Sequence, residues 1–465
     1  MKVNRKFFKK ICIIKNEENM TANSLKKSIF IVLFGMALLP FSLRAQDTLT
    51  VSLDKAIEIA LSESPTIKVA NKEIQRVDYS SKEKISSLFP TISGVGQYSR
   101  AVKKQKMFFS IPGMPARPDG IEVGQDNTFS GGISAAMPLI APTLWATIKM
   151  SELDAELVME SARSSKLSLI NEVSKAYYAI LLAQDSYDVF KKSYDISVEN
   201  ARIIQNKYKQ GTVSEFEWIR ADVQVKNAGA NLASAENAVN LSILRLKMLM
   251  GIDMFTGLKI EGNLANFEAN KYADVLAIDT TTLQANSDLK QFDIKTKQLK
   301  QSLKIQKSSY LPTLSAAFSY QYMSMANDSV AFSNYRWFPT STAALSLSIP
   351  LFQGGGKLFK QKQIETQVEE MKYQRDNLRR SLELQAMSYL DNINQALKVI
   401  ESNKEGLRQA EKALNISQKR YEVGAATYLD LSNAELAYTQ AGLAYNQSIY
   451  NYLSAKADLE KLLGK

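Results

Sequence analysis

Proline placement constrains this chain more than any other feature. None of its 11 prolines falls between Pro142 and Pro312, and none follows Pro350. Proline costs about 3 kcal/mol inside a helix, so windows this long leave room for very long helices. Both windows are rich in Ala, Leu, Lys, Glu and Gln, as helices require. Each also carries a seven-residue period. Trp218, Val225, Leu232, Val239 and Leu246 form one stripe, flanked by Ala221, Ala228, Ala235, Ser242 and Leu249. Leu431, Tyr438, Tyr445, Tyr452 and Leu459 form the other, flanked by Ala434, Ala441, Ser448, Ala455 and Leu462. A sustained period of seven implies left-handed supercoiling of packed helices, with the small residues allowing close backbone approach. The tyrosines therefore read as packing and not as a ligand-stacking box.

The two windows are copies of one plan. Leu88-Phe89-Pro90-Thr91-Ile92-Ser93 recurs as Tyr310-Leu311-Pro312-Thr313-Leu314-Ser315, and Ala136-Met137-Pro138-Leu139-Ile140 as Ser348-Ile349-Pro350-Leu351-Phe352. Asn206-Lys207-Tyr208-Lys209-Gln210-Gly211 matches Lys419-Arg420-Tyr421-Glu422-Val423-Gly424, and Leu249-Met250-Gly251 matches Leu462-Leu463-Gly464. Chance would not keep four matches in one order at nearly constant offset. The chain thus divides into a leader (1–45), a first repeat (46–262) and a second (263–465). Each repeat is expected to run short helix, two strands, long helical hairpin. The long helices are expected near 143–208 and 356–420, about 100 Å each at 1.5 Å per residue. Their return partners fall near 214–249 and 427–462. A hairpin that long implies a tube or a stalk.

The strands are expected near 90–100, 127–138, 312–323 and 339–350. In the third, Leu314, Ala316, Phe318, Tyr320 and Tyr322 alternate with Thr313, Ser315, Ala317, Ser319 and Gln321. The second and fourth alternate likewise, and the first is weakened by Gly94 and Gly96. Such alternation over about ten residues suits a membrane-barrel strand, and equally a soluble sheet with one wet face. The nearly uncharged Ser/Thr/Gln face and the long loops at 101–127 and 323–338 favour the barrel. Four strands cannot close a membrane barrel, so copies must share one: eight strands for a dimer, twelve for a trimer. An eight-stranded barrel is filled by its own side chains, so a pore favours three chains.

Lys26 and Lys27 precede an apolar run from Ile29 to Pro40, and Ala45 then offers a cleavage site. This is the order of a secretory signal, against the alternatives of a stop-transfer anchor or a buried helix. Met20 lies just upstream, so residues 1–19 read as an over-extended start. The charge of +11 at first suggests nucleic acid. Without residues 1–45 the balance is 49 basic to 45 acidic, and that suggestion lapses. The only cysteine, Cys12, goes with the leader.

Enzymatic chemistry has little to work with. There is no histidine, hence no His-based triad, and there is no G-x-S-x-G elbow. Gly356-Lys357 would need Gly at 351 and Ser or Thr at 358 to make a phosphate loop, and both positions are leucine. No metal or cofactor is expected.

Taken together, these motifs resemble the outer-membrane efflux protein family, the TolC-like channels, over nearly the whole chain after the leader. The resemblance rests on the duplicated halves, Leu311-Pro312-Thr313-Leu314, Ile349-Pro350-Leu351-Phe352-Gln353-Gly354-Gly355, and Arg420-Tyr421-Glu422-Val423-Gly424 followed by Asp430. It implies a mainly α fold with a small membrane β part: a homotrimer whose α-barrel continues a shared 12-stranded β-barrel. It implies an outer-membrane location reaching into the periplasm. It also implies a passive duct fed by an inner-membrane pump through a periplasmic adaptor. Carried onto this sequence, the adaptor-docking turns run Tyr208–Glu217 and Tyr421–Asp430, with Gly211 and Gly424 at their centres. The aperture carboxylate falls on Asp430, with Glu217 as its first-half equivalent. A second aperture Asp of some members falls on Asn433, and a latching Arg falls on Ala426. Three converging Asp430 carboxylates would attract cations and repel one another; the simpler reading is a solvated Asp after a turn. The rival from another class is a non-conducting coiled-coil stalk, and within the conduit class a type I protein secretion duct.

Overall fold

The computed structural model describes residues 49–108, 120–268 and 283–465. The expected leader, Cys12 and the middle of the 101–127 loop lie outside the described residues. In the first half, β1 (Leu49–Val51) leads to α1 (Leu53–Glu63), α2 (Pro65–Ser86) and β2 (Thr91–Arg100). A short β3–β4 ribbon (Gln105–Met107, Ile121–Val123) precedes β5 (Asn127–Ile140) and the helical hairpin α3 (Pro142–Lys209) and α4 (Glu215–Met250). After β6 (Leu258–Ile260) and α5 (Leu264–Glu268), the second half runs α6 (Ser287–Ser308), β7 (Thr313–Ala326), β8 (Trp337–Ser348), α7 (Gly356–Glu422) and α8 (Tyr428–Leu463). The order helix, strand, strand, long hairpin holds in both halves. Among the described residues, the additions to it are α1, the β3–β4 ribbon, the β1–β6 pair and α5.

Local chemistry sets the helix ends. Pro65 and Pro142 sit in the first turns of α2 and α3, where a missing N–H costs nothing. Asn286 caps α6 by accepting from the N–H groups of Asp288 and Leu289 at 2.9 and 3.0 Å. Both return helices stop at a left-handed glycine, Gly251 (φ +71°) and Gly464 (φ +77°). A Cβ on Gly251 would lie 2.7 Å from the Glu63 carbonyl, and one on Gly464 would overlap the Ala285 carbonyl. The repeated Leu/Met-Gly motif therefore seats each hairpin against the start of its own half.

The long helices lie side by side in the order α4, α3, α8, α7. The small-residue stripe Ala221, Ala228, Ala235 is buried on α4, and Leu431, Tyr438, Tyr452 and Leu459 are buried on α8. On α8, Gly442 faces Val189 of α3 and Leu407 of α7, so this helix is flanked on two sides. Beside the sheet-proximal end of α3 run α2 and α6, joined by Ser81–Ser151 (3.1 Å) and by Gln301 donating to the Ala146 carbonyl (2.8 Å).

The four main strands form one antiparallel sheet in the order β2-β5-β7-β8, leaving β2 and β8 as edges. Register places Ile92, Ile133, Tyr320 and Leu345 on one face and Ser93, Ser134, Ser319 and Thr342 on the other. The apolar face is open: Ile92 is 71% and Leu345 72% exposed. Near its end remote from the helices, Phe129 gathers the rings of Tyr98, Phe332, Tyr335 and Trp337 within 4.6 to 6.5 Å. No helix among the described residues is long and apolar enough to cross a membrane.

Candidate functional site

At the end remote from the sheet, both hairpins turn in the same way. Gly211 and Gly424 carry φ of +74° and +78°, which a side chain resists, and open space surrounds each. Ser214 caps α4 by accepting from the N–H of Glu217 at 3.3 Å. Thr427 caps α8 by accepting from the N–H of Asp430 at 3.2 Å. The Asp430 carboxylate then reaches back, its Oδ2 accepting from the Thr427 N–H (2.9 Å) and hydroxyl (2.7 Å). This reciprocal capping box satisfies helix-end donors. Those bonds hold the exposed Asp430 carboxyl below its usual pKa. Asn433 lies exposed one turn further along the same helix, and Glu217 stands half-buried on the other hairpin.

A shared core ties the two tips together. Ile204, Ala221, Leu414, Tyr421, Tyr428, Leu431 and Tyr438 form one buried cluster drawn from all four helices. Lys207, at the end of α3, donates to the Tyr421 carbonyl at 2.8 Å and to that of Glu422 at 3.3 Å. Its ammonium also sits 4.5 Å over the Tyr421 ring. A cation at the α7 carboxy terminus is thus supplied by the other hairpin. Arg220 of α4 lies over the Tyr428 ring at 5.7 Å and the Phe216 ring at 5.6 Å, within cation–π reach. Burial pushes the Tyr421 and Tyr428 hydroxyls up to about 12.

The outer membrane efflux protein family model matches residues 56–252 and 280–465. The chain belongs to this family. Its relatives include the outer membrane protein TolC of Vibrio cholerae, 20% identical over 73% of this chain and 77% of TolC. Another is the alkaline protease secretion protein AprF of Pseudomonas aeruginosa, 22% identical over 93% of this chain and 88% of AprF. Among solved structures, the Campylobacter jejuni CmeC outer membrane channel superposes with a TM-score of 0.69 at 18% identity, covering 89% of this chain and 85% of CmeC.

This outer membrane efflux protein is therefore a channel of the efflux or secretion class, set in the outer membrane and extending into the periplasm. Within it, the two turns singled out in the sequence lie at one end, over the shared core. The copies have diverged there. Tyr208 is 36% exposed and stacks on Trp218 at 5.5 Å, whereas its repeat mate Tyr421 is 5% exposed. Sequence reasoning missed Lys207, Arg220 and Glu435. The repeat gave one signal: Arg420, the mate of Lys207, donates to Ala425 within its own turn, so only the Lys207 copy crosses over. Lys357 of the glycine run donates to the Ser309 carbonyl, which accounts for its place without any phosphate.

Proposed function

We propose that three copies close a twelve-stranded barrel in the outer membrane, continued by their helices as a passive trans-periplasmic duct. One observation carries this reading: a four-stranded sheet with two open edges and an exposed apolar face. Open edges in lipid cost several kcal/mol for each unpaired backbone group, so the sheet demands closure by further copies. The apolar face spans Phe129 to Met137 along β5, close to the roughly 9–11 residues that a tilted membrane-barrel strand needs. The Ser/Thr/Gln face then lines the lumen.

At the far end, the turns Tyr208–Glu217 and Tyr421–Asp430 dock a periplasmic adaptor, through which an inner-membrane pump delivers cargo. Asp430, with Asn433 and Glu217 near it in the tips, rings the aperture. The Thr427 hydrogen bonds favour its ionised form, and three such carboxylates would repel one another and draw cations between them. No cofactor takes part, and nucleic acid is not a partner.

Planar-bilayer recording on purified trimer tests this. Single-channel current is expected; its absence in a trimeric sample would return the stalk reading. Asp430→Asn keeps an acceptor for the Thr427 N–H but loses the charge. It should reduce cation selectivity and block several-fold while leaving helix content unchanged. Unaltered selectivity and block would remove Asp430 from the aperture.

A further inference from the structure

A buried carboxyl sits where the two hairpins meet. Glu435, little more than a turn beyond Asp430 on α8, packs against α3 of the other hairpin and is almost fully buried. Its Oε1 lies 3.4 Å from the Ser193 hydroxyl and within hydrogen-bond reach of the Ser197 hydroxyl. Asn200 of α3 and Gln224 of α4 stand beside it. All four of these side chains are neutral. Asn200 is buried as well, and its amide nitrogen has no hydrogen-bond partner among the described residues. Dipoles without a counter-charge are a poor setting for a carboxylate taken out of water.

The donors favour the acid form. Ser197 has one hydroxyl proton and two acceptors in reach, the Ser193 carbonyl at 2.9 Å and Glu435. As a carboxylate, Glu435 takes that proton from the carbonyl. As an acid it donates to Ser197 Oγ instead, and Ser197 keeps the Ser193 carbonyl satisfied. We propose that Glu435 is a proton-operated lock between the hairpins: protonated it fastens α8 to α3, and ionised it releases them. Ionisation calls water into the core, and hydration parts the first turns of α8 from α3. Those turns carry Tyr428 and Leu431 of the shared core, together with Asp430. The repeat mate Asp222 is exposed, so one half alone carries the lock.

Other charged and titratable groups reach this core from each helix. Lys192 of α3 lies 4.6 Å over the Tyr438 ring and pairs with Glu411 of α7 at 2.9 Å. Partial burial opposes its charge, but Tyr438 and Glu411 hold it positive. Arg220 of α4 lies over the Tyr428 ring. Burial pushes the hydroxyls of Tyr428 and of Tyr421 on α7 up to about 12, so both stay neutral at ordinary pH. Burial also raises the pKa of Glu435, so its proton leaves above the ordinary carboxylate range.

Hydrogen exchange over Tyr428–Gly442 in the full-length protein, corrected for its intrinsic pH dependence, tests the lock between pH 5 and pH 9. Protection there should fall about ten-fold as pH rises. Glu435→Gln places an amide donor where the acid proton was, and should keep the protection of the acid form throughout. Wild-type protection that ignores pH overturns the lock without recourse to any variant. A step that survives in Glu435→Gln overturns it too. Asp430→Asn should keep the step, because the Thr427 hydrogen bonds hold that carboxyl below its usual range. Loss of the step in Asp430→Asn alone would move the switch to Asp430. The lock needs only the fold, whereas its effect on conduction rests on the duct proposed above. Single-channel current should rise with pH in the wild type and stay level in Glu435→Gln. Absence of current from every trimeric sample overturns the duct, and the exchange step still decides the lock.

Discussion

Glu435 shows what a single side chain contributes at the tip. It is 2% exposed on α8 and accepts hydrogen bonds from the hydroxyls of Ser193 and Ser197 on α3. Burial raises its pKa above the usual carboxylate value. A carboxyl whose folded pKa is raised binds a proton that the unfolded chain has released. Stability therefore falls as pH rises past the unfolded value near 4.3, until the folded pKa is passed. Glu435→Gln should accordingly stabilise the protein at pH 8 by about 1–2 kcal/mol, with little gain at pH 4. Thermal unfolding at the two pH values measures this; equal gains would mean that ionisation is not the cause. Its repeat mate, Asp222 on α4, is exposed. Periodicity places both residues beside the apolar stripe and cannot say which copy is central. Only the row of four helices, with α8 flanked on both sides, decides that Glu435 is the buried one.

At the scale of elements, most of the architecture was legible because its signals are local. Proline gaps bounded the helices, the seven-residue period marked their seams, and alternation marked the strands. Gly94 and Gly96 weakened that alternation, yet β2 forms over its whole length because β5 supplies its ladder. What could not be read was docking between elements far apart in sequence, such as Lys207 crossing to α7. The glycines make the same distinction measurable. Gly211 needs its side chain absent only for conformation, as its surroundings are open. Gly251 needs it for conformation and for the approach of Glu63 and Pro65. Gly211→Ala should cost about 1–2 kcal/mol, the expense of a left-handed residue, and Gly251→Ala clearly more. Denaturant midpoints for the two variants provide the comparison. Equal losses would show that the hairpin does not seat on α1 as tightly as drawn.

For the whole molecule, the decisive property is that one sheet has two chemically distinct faces. Phe318 and Ser319 are neighbours in sequence, yet Phe318 lies on the face of Ala135 and Ala343, and Ser319 on the face of Ser134 and Thr342. If the first face meets lipid, Phe318→Arg places a charge in the apolar band at about 2–4 kcal/mol per chain near the midplane, counted three times in a trimer. The variant should fail to insert or fail to assemble. Ser319→Lys adds the same charge one residue away but turns it to the lumen. It should assemble normally and shift ion selectivity toward anions, because three ammonium groups then face the pore. The same two substitutions judge the soluble-sheet alternative. A stalk with one wet face would tolerate both in the membrane fraction equally, and neither would change a current. Membrane fractionation and bilayer reversal potentials on the pair therefore test the sheet's orientation and its purpose together. Insertion of the Phe318→Arg protein with altered selectivity would mean that lipid and lumen faces are exchanged.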